Sequence, residues 1–249
     1  MTTQSALGID IGGTGIKAAP VDLTTGQLLT EPHYFPTQPS SPDMIARAIR
    51  GIVTNLNWRG PIGCGYPGVI KNGVALTAVH LSKEWLGLNV GEVLGRQVGR
   101  EVAAINDADA AGVAELRFGA GKDCGPEDIV LMLTLGTGIG SALFAGRTLV
   151  PNTEFGHVYI ESTEAEELAA ASVRTRDELS WEAWGQRVNR YLAEMEKLLS
   201  PDLIIIGGGV SENFELFQPF LSTRPPVFPA MLGNNAGIVG AALWAVERK

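Results

Sequence analysis

The sequence predicts an α/β protein built from two similar halves. Apolar, β-branched segments alternate along the 249-residue chain with segments of helical periodicity. Two glycine-rich hairpins, at 8–20 and 135–144, lie about half a chain length apart and resemble each other. The wholly apolar segment 203–206 is typical of a strand covered by helices on both faces of a parallel sheet. A duplicated architecture of two domains follows from these observations.

The first half is predicted to open with an antiparallel meander. A strand runs into the turn Gly12-Gly13-Thr14-Gly15 and returns, and a second turn precedes a third strand. Apolar residues at helical spacing after Ser41-Pro42 predict a helix at 43–56. The predicted strands of this half are 6–10, 16–21, 28–35, 61–68 and 102–105. The last of them ends at Asn106 and Asp107.

The second half is predicted to repeat this plan with more helix. An alanine-rich helix starts at 108 and ends at the glycine turn 119–121. The further predicted strands are 129–135, 141–144 and 203–206, and the further helices are 177–199, 210–220 and 237–246. We therefore expect a small N-terminal α/β domain at 1–107, on which the C-terminal helix 236–249 packs back, and a larger C-terminal α/β domain at 108–235.

Composition excludes several classes of protein. A net charge of −8 disfavours a nucleic-acid partner, because such binding depends on neutralising phosphates with Lys and Arg. Cys64 and Cys124 stand far apart without a CxxC pattern, which argues against a disulfide framework and a zinc site. The first strand begins close to Met1, and the apolar stretches are too short to span a bilayer. We expect a cytoplasmic protein without membrane contact.

The first glycine-rich hairpin is a candidate phosphate site. Asp10 ends a buried strand, and Gly12, Gly13 and Thr14 follow it, so that backbone N–H groups are not screened by side chains. Asp10 would act on phosphates through Mg²⁺ or water, and Lys17 would supply positive charge. A plain hairpin turn is the alternative interpretation.

The second hairpin carries the loop Gly136-Thr137-Gly138-Ile139-Gly140. Neither loop has the Gly-Lys-Ser/Thr ending of a P-loop. Two such loops at equivalent places in two half-chains predict a pair that holds one phosphate chain from opposite sides, with donor and acceptor in line.

Asn106 and Asp107 lie at a predicted strand end, just before a helix. A sugar hydroxyl needs a carboxylate within hydrogen-bond reach to take its proton, and an Asn can fix the same sugar. Asp107 is thus the candidate general base, while helix capping by Asp107 or Asp109 is the alternative. Further on, Glu154 and His157 flank a glycine turn and can bind vicinal hydroxyls. A metal ligand is the alternative role for His157.

The motifs together resemble the ROK family of sugar kinases (repressor, open reading frame, kinase). They are, in order, DIGGTGIK, INDADAA, LGTGIG, EFGH and IIIGGGVS, and the resemblance covers nearly the whole chain. It implies an actin-like ATPase (ribonuclease H-like) duplicated fold with two domains around a cleft, Mg²⁺ as cofactor, and a homodimer. It also implies that Asp107 is the catalytic base, that the two glycine loops bind phosphate, and that Asn106, Glu154, His157 and Gly68 bind the sugar.

Within the family the chain resembles the polyphosphate glucokinases. The usual zinc motif after Glu-x-Gly-His is missing, since 158–167 contains no cysteine, so no zinc is expected. The stretches 174–189 and NNAGIVGAA are similar to that branch, which has an Asn contacting the sugar where this chain has Val79-His80-Leu81. The implied reaction transfers the terminal phosphoryl group of polyphosphate to the 6-hydroxyl of glucose.

Two alternatives to this reaction stay open. The first is an ATP-dependent ROK hexokinase, for which Gly207, Gly208 and Gly209 would pack against the adenosine. In the polyphosphate interpretation Arg174 and Arg176, with Arg187 and Arg190, would line a groove for the polyanion, although a solvated helix face explains them equally well. The second is a sugar-binding regulator without turnover, which the acidic composition disfavours.

Overall fold

Two five-stranded sheets with the same strand order form the framework of the protein. The computed structural model describes residues 4–247, so the ends of the predicted domains at 1–3 and 248–249 lie outside the described residues. Residue contacts divide the chain into a first unit, up to Ala114 together with the chain from Asn235 onward, and a second unit, Glu115–Asn234. Each unit contains one of the two sheets.

The elements are numbered along the chain. The strands are β1 Ser5–Ile11, β2 Gly15–Asp22, β3 His33–Pro36, β4 Ile62–Tyr66, β5 Ile70–Lys71, β6 Val74–Ala75, β7 Ala103–Asn106, β8 Ile129–Leu135, β9 Ile139–Ala145, β10 Thr148–Val150, β11 Tyr159–Ile160, β12 Thr163–Glu164, β13 Leu203–Gly207 and β14 Val227–Pro229. The α-helices are α1 Pro42–Asn55, α2 Val90–Val98, α3 Asp107–Phe118, α4 Ala165–Ala169, α5 Ala171–Arg176, α6 Trp181–Leu199, α7 Phe214–Phe217 and α8 Ala236–Glu247. Short 3₁₀ turns lie at Lys83–Trp85, Phe155–His157, Gly209–Asn213, Gln218–Phe220 and Gly233–Asn235.

The sheet of the first unit has the order β3-β2-β1-β4-β7. β1, β2 and β3 form the antiparallel meander, whereas β1, β4 and β7 run parallel. The register places Asp10 opposite both Lys17 and Gly65, and Tyr66 opposite Asn106. Because the carboxyl ends of parallel strands meet at the same edge, Asp10, Asn106 and Asp107 share that edge of the sheet.

Helix α8 lies on one face of this sheet at unusually close range. A Cβ atom on Gly8 would overlap the carbonyl oxygen of Ile238, and one on Gly63 would overlap that of Ala241. Gly240 of α8 approaches the backbone of α3 in the same manner. The helix is apolar, and seven of its twelve residues are buried. Glycine is therefore required at these positions so that backbone can pack directly on backbone.

The second unit repeats the strand order as β10-β9-β8-β13-β14. Helix α6 covers this sheet with Trp184, Val188, Tyr191, Leu192 and Met195, all fully buried. The buried carboxylate of Glu115 accepts hydrogen bonds from the backbone N–H groups of Ala120 (2.9 Å), Met231 (3.1 Å) and Leu232 (2.7 Å). One side chain thus ties the end of α3 to the segment that precedes α8.

Most predicted elements are confirmed within one or two residues, and the exceptions have local causes. The third strand, predicted at 28–35, is limited to β3, because Pro32 has no N–H to donate to a ladder. The helix predicted at 177–199 begins only at Trp181, where the Ser180 hydroxyl accepts from the Ala183 N–H at 3.1 Å. In place of the helix predicted at 210–220 there are three short helical segments, and the last of them contains Pro219. The residue before a proline disfavours the α-helical conformation, which interrupts the helix there. Helix α2 was not predicted.

Within residues 4–247, every helix is too short or too polar to cross a bilayer.

Candidate active site

Asp10 lies at the carboxyl end of β1 in a tightly closed environment. Burial raises the pKa of the Asp10 carboxyl, and the positive charge of Lys17 on the adjacent strand lowers it by a smaller amount. Gly237, in the first turn of α8, packs directly against the Asp10 carboxyl. A Cβ atom on Gly237 would lie 2.8 Å from Asp10 Cγ and 2.9 Å from its Oδ2. The carboxyl therefore sits against a helix N-terminus, where the helix dipole favours negative charge.

The first glycine loop is held by side chains from outside the motif. The Gly12 N–H donates to the Gly15 carbonyl at 2.9 Å, which closes the turn. The hydroxyl of the buried Thr37 donates to the Gly12 carbonyl at 2.6 Å, and that of Tyr34 donates to the Thr14 carbonyl at 3.1 Å. Thr37 and Tyr34 were not predicted as site residues, because neither belongs to a motif and they lie 25 and 20 residues from the carbonyls that they bind.

His80 lies in the segment 79–81, where the family resemblance predicts an Asn that contacts the sugar. The residue is exposed and has a left-handed backbone with φ of 59°. A Cβ atom on Gly13 would lie 3.0 Å from His80 Cβ. The imidazole group is therefore attached next to the first glycine loop.

Asn106 is buried and holds two segments together. Its Oδ1 accepts from the Asp109 N–H at 3.0 Å, and its Nδ2 donates to the Gly68 carbonyl at 3.1 Å. Gly68 has φ of 150°, and a Cβ atom there would lie 2.7 Å from the Thr77 carbonyl oxygen. The helix-capping role considered for Asp107 or Asp109 therefore belongs to Asn106.

Asp107 is the first residue of α3 and is partly buried. Its Oδ1 accepts a hydrogen bond from the Ala108 N–H at 2.9 Å. The position at a helix N-terminus stabilises the ionised carboxylate. Asp107 is thus a charged acceptor fixed at the same sheet edge as Asp10.

The second glycine loop, in the second unit, is anchored by Ser172 at the start of α5. The Ser172 N–H donates to the Gly136 carbonyl at 3.0 Å, and its hydroxyl donates to the Thr137 carbonyl at 2.6 Å. Thr137 is exposed, and the space beside Gly136 is open for at least 4 Å. A Cβ atom on Gly138 would lie 2.6 Å from Glu166 Oε2. The carboxylate of Glu166 therefore lies close to the backbone of the second glycine loop.

Glu154 and His157 lie beside two further carboxylates. His157 Nδ1 is 3.3 Å from Glu164 Oε2, and the Tyr159 hydroxyl donates to Glu164 Oε1 at 3.1 Å. Burial raises the pKa of Glu154, while the charge of His157 lowers it and that of Glu166 raises it. Glu164 and Glu166 were not predicted as site residues, although the acidic residues that follow EFGH indicate carboxylates near His157.

Two places among the described residues offer metal ligands. The carboxyl of Asp10, with Lys17 opposite, is a hard oxygen donor of the kind that Mg²⁺ prefers. Ligand atoms of His157, Glu164 and Glu166 all lie within 4.8 Å of one another. The pairing of His157 with Glu164 accounts for this second group without a metal, and its side chains are half-buried or exposed.

The glycines at the end of β13 serve different purposes. A Cβ atom on Gly207 would lie 2.8 Å from Met132 Cε, and Gly208, with φ of 83°, packs against the Leu135 carbonyl. Gly209 is exposed, with open space for 4 Å beside it. Packing thus explains the first two glycines, and only Gly209 leaves backbone accessible to a ligand.

Arg174 and Arg176 both lie on α5, in different environments. Arg176 is paired with Asp177 at 2.7 Å. The guanidinium carbon of Arg174 lies 3.6 Å from the ring centroid of Trp181.

Comparison with known proteins places this arrangement among sugar kinases. Residues 6–171 match the ROK family. The chain is 46% identical over 247 residues to a polyphosphate glucokinase of Mycobacterium tuberculosis (strain CDC 1551 / Oshkosh), a match that covers 98% of this chain and 92% of that protein.

Solved structures give the same result for the fold. The crystal structure of an inorganic polyphosphate/ATP-glucomannokinase from Arthrobacter sp. strain KM is 45% identical, with a TM-score of 0.91 and 98% of each chain covered. A ROK family glucokinase from Streptomyces griseus, solved with glucose and AMPPNP, has a TM-score of 0.80 at 24% identity, covering 96% of this chain and 98% of that one. These likenesses confirm the predicted actin-like ATPase fold class.

Proposed function

The chain belongs to the ROK family, and we propose that it is a glucokinase that transfers the terminal phosphoryl group of inorganic polyphosphate to the 6-hydroxyl of glucose. The observation that carries this proposal is the 46% identity, over nearly the whole chain, to a protein named polyphosphate glucokinase. Asp10, Asp107 and both glycine loops, to which we assign the chemistry of this reaction, support the proposal.

Asp107 is proposed as the general base. As the O6–H bond of glucose breaks and its oxygen forms a bond to the terminal phosphorus, the proton passes to the Asp107 carboxylate. The bond between that phosphorus and the bridging oxygen of the shortened polyphosphate breaks in the same step. Because phosphoryl transfer has a loose transition state, a carboxylate kept ionised by a helix N-terminus is a sufficient base.

The other residues are proposed to bind and orient the substrates. Glu154 and His157 would hold sugar hydroxyls, with Asn106 and the Gly68 segment that it fixes. The loops at Gly12–Thr14 and Gly136–Gly138 would offer backbone N–H groups to phosphate oxygens. Asp10 would hold Mg²⁺ directly or through water, and Lys17 would add positive charge. When bound, Mg²⁺ supplies neutralisation of the phosphate charge.

Further proposals concern location, assembly and ligands, and the homodimer and the absence of zinc follow from the family resemblance. We place the enzyme in the cytoplasm, we expect it to form a homodimer, and we expect it to work without zinc or nucleic acid. The net charge of −8 supports the absence of a nucleic-acid partner.

The donor is tested by measuring glucose 6-phosphate formation with Mg²⁺, glucose, and either polyphosphate or ATP as the only donor. We expect turnover with polyphosphate, measured by a coupled dehydrogenase assay. Turnover with ATP alone would refute polyphosphate as the donor. It would not contradict the fold or the role of Asp107 as general base. No turnover with either donor would refute glucose as the acceptor.

ATP is a second candidate donor, and mannose a second candidate acceptor. The Arthrobacter protein, with a TM-score of 0.91, is named a polyphosphate/ATP-glucomannokinase. Gly209, exposed at the end of β13, leaves backbone accessible for a nucleotide. The same assay, repeated with mannose and with ATP, measures both.

Gly237→Ala is expected to lower the turnover number by roughly 10- to 100-fold. The added Cβ would lie 2.8 Å from Asp10 Cγ, so the carboxyl must move. Steady-state assays with a thermal unfolding measurement test this, and the matched control is Gly51→Ala, a helical glycine in α1 with no atom within 4 Å of the added Cβ. Normal turnover in Gly237→Ala would show that the placement of Asp10 against α8 is not needed for catalysis.

A further inference from the structure

Four arginines lie in or near α5 and α6 of the second unit: Arg174, Arg176, Arg187 and Arg190, called here the arginine group. Three of them are paired with carboxylates. Asp177 accepts from Arg176 at 2.7 Å and from Arg187 at 3.1 Å. Arg190 is paired with Glu161 at 2.9 Å. Their three positive charges are therefore offset in part, by the two carboxylates that they share.

Arg174 is the exception in this group. Its guanidinium carbon lies 3.6 Å from the centre of the Trp181 ring, an arrangement in which a cation is attracted to the aromatic face. Its Nε atom is buried and has no hydrogen-bond partner among residues 4–247, and within that part of the chain no carboxylate lies within 4 Å of its nitrogens. The charge of Arg174 is thus not offset by an ion pair.

Arg174 lies on α5, the short helix whose first turn anchors the second glycine loop. Ser172 binds the carbonyls of Gly136 and Thr137 at 3.0 and 2.6 Å. Arg174 is two residues further on, so its Cα lies no more than about 7.6 Å from that of Ser172. A guanidinium group already held over an aromatic ring loses little further freedom when it binds, and its planar fork matches two phosphate oxygens.

We propose that Arg174, positioned by Trp181, binds a phosphate group of the polyphosphate chain next to the second glycine loop and determines the preference for polyphosphate as donor. This inference rests on the proposed function. The ligand class is linear inorganic polyphosphate. Arg187 joins α6 to Asp177 at the end of α5, Arg176 shares that carboxylate, and Arg190 pairs with Glu161, so these three have a structural role.

The test compares wild-type enzyme with Arg174→Gln, Arg174→Lys and Arg176→Gln. KM and kcat are measured with long-chain polyphosphate and, separately, with ATP, at saturating glucose. We expect Arg174→Gln to raise the KM for polyphosphate about tenfold, the loss of one charge-assisted interaction worth about 1.4 kcal/mol. Arg174→Lys should fall between it and the wild type, because it keeps the charge but loses the fork.

Two comparisons separate binding from structure. Arg224→Gln removes one exposed positive charge, which pairs with Glu196 in the same unit, and should leave the KM for polyphosphate unchanged. Arg176→Gln should change it less than Arg174→Gln, since Arg176 is already paired. The KM for glucose and the melting temperature should be similar in all variants. Arg174→Lys serves as the test if Arg174→Gln does not fold.

Three results would overturn the inference. One is an unchanged KM for polyphosphate in the Arg174 variants. Another is an equal rise for polyphosphate, ATP and glucose, which indicates a structural role. The third is an equal effect of Arg176→Gln, which indicates binding by the whole group. A wild-type enzyme that uses ATP but not polyphosphate would instead refute the proposed donor, and the inference with it.

Discussion

Asp107→Asn is expected to lower the turnover number by a factor on the order of 10² or more. The amide has nearly the same size as the carboxyl, and its Oδ1 can still accept the 2.9 Å hydrogen bond from the Ala108 N–H. It cannot take the hydroxyl proton of glucose, however. The helix that begins at Asp107 should therefore remain intact while the chemical step slows.

The measurement is kcat with saturating donor and glucose, combined with glucose binding by calorimetry and thermal unfolding. Asp43→Asn is the matched control, because Asp43 is also in the first turn of a helix but is exposed and paired with Arg47 at 2.9 Å. Its turnover should equal that of the wild type. Undiminished turnover in Asp107→Asn would remove Asp107 from the mechanism.

Gly63→Ala is expected to destabilise the protein by more than about 3 kcal/mol. Gly63 lies in β4 between β1 and β7, so the strand cannot shift without breaking both ladders. The added methyl would overlap the carbonyl oxygen of Ala241 in α8. Helix and sheet must therefore separate, and the apolar contact between them is lost.

Thermal unfolding followed by circular dichroism measures this effect. A loss of this size lowers the melting temperature by roughly 6–12 °C in a chain of this length. Gly51→Ala in α1 adds the same methyl group where nothing lies within 4 Å, and it should raise stability by roughly 0.5–1 kcal/mol through better helix propensity. Equal melting temperatures for Gly63→Ala and the wild type would contradict the close packing of α8 on the sheet.

Much of the fold could be predicted because local patterns determine it. The strand 129–135 was predicted at its observed bounds, and both glycine hairpins were found from alternating apolar residues and turn glycines. Errors occurred where a single residue overrode the pattern. Pro32 shortens the third strand, and the Ser180 cap delays the start of α6.

The candidate site was predicted only in part. Asp10, Asp107 and the glycine loops belong to continuous motifs, so their chemistry can be read locally. Thr37, Ser172 and Gly237 support these motifs from distant positions in the chain. Neither Thr37 nor Ser172 is distinguished by its own neighbourhood in the sequence. Gly237 lies in the NNAGIVGAA stretch, but its approach to Asp10 is created by folding.

The sequence alone therefore determined the fold class, the two halves, and the residue types available for phosphoryl transfer. Only the tertiary structure decided how these charges are paired. In sequence the four arginines of the arginine group are equivalent, but three of them pair with Asp177 or Glu161, and the fourth lies over the Trp181 ring. It also decided that Gly63 and Gly237 must be glycines. The physical reason is that ion pairing and backbone contact depend on distance in space, whereas periodicity and capping depend on distance along the chain.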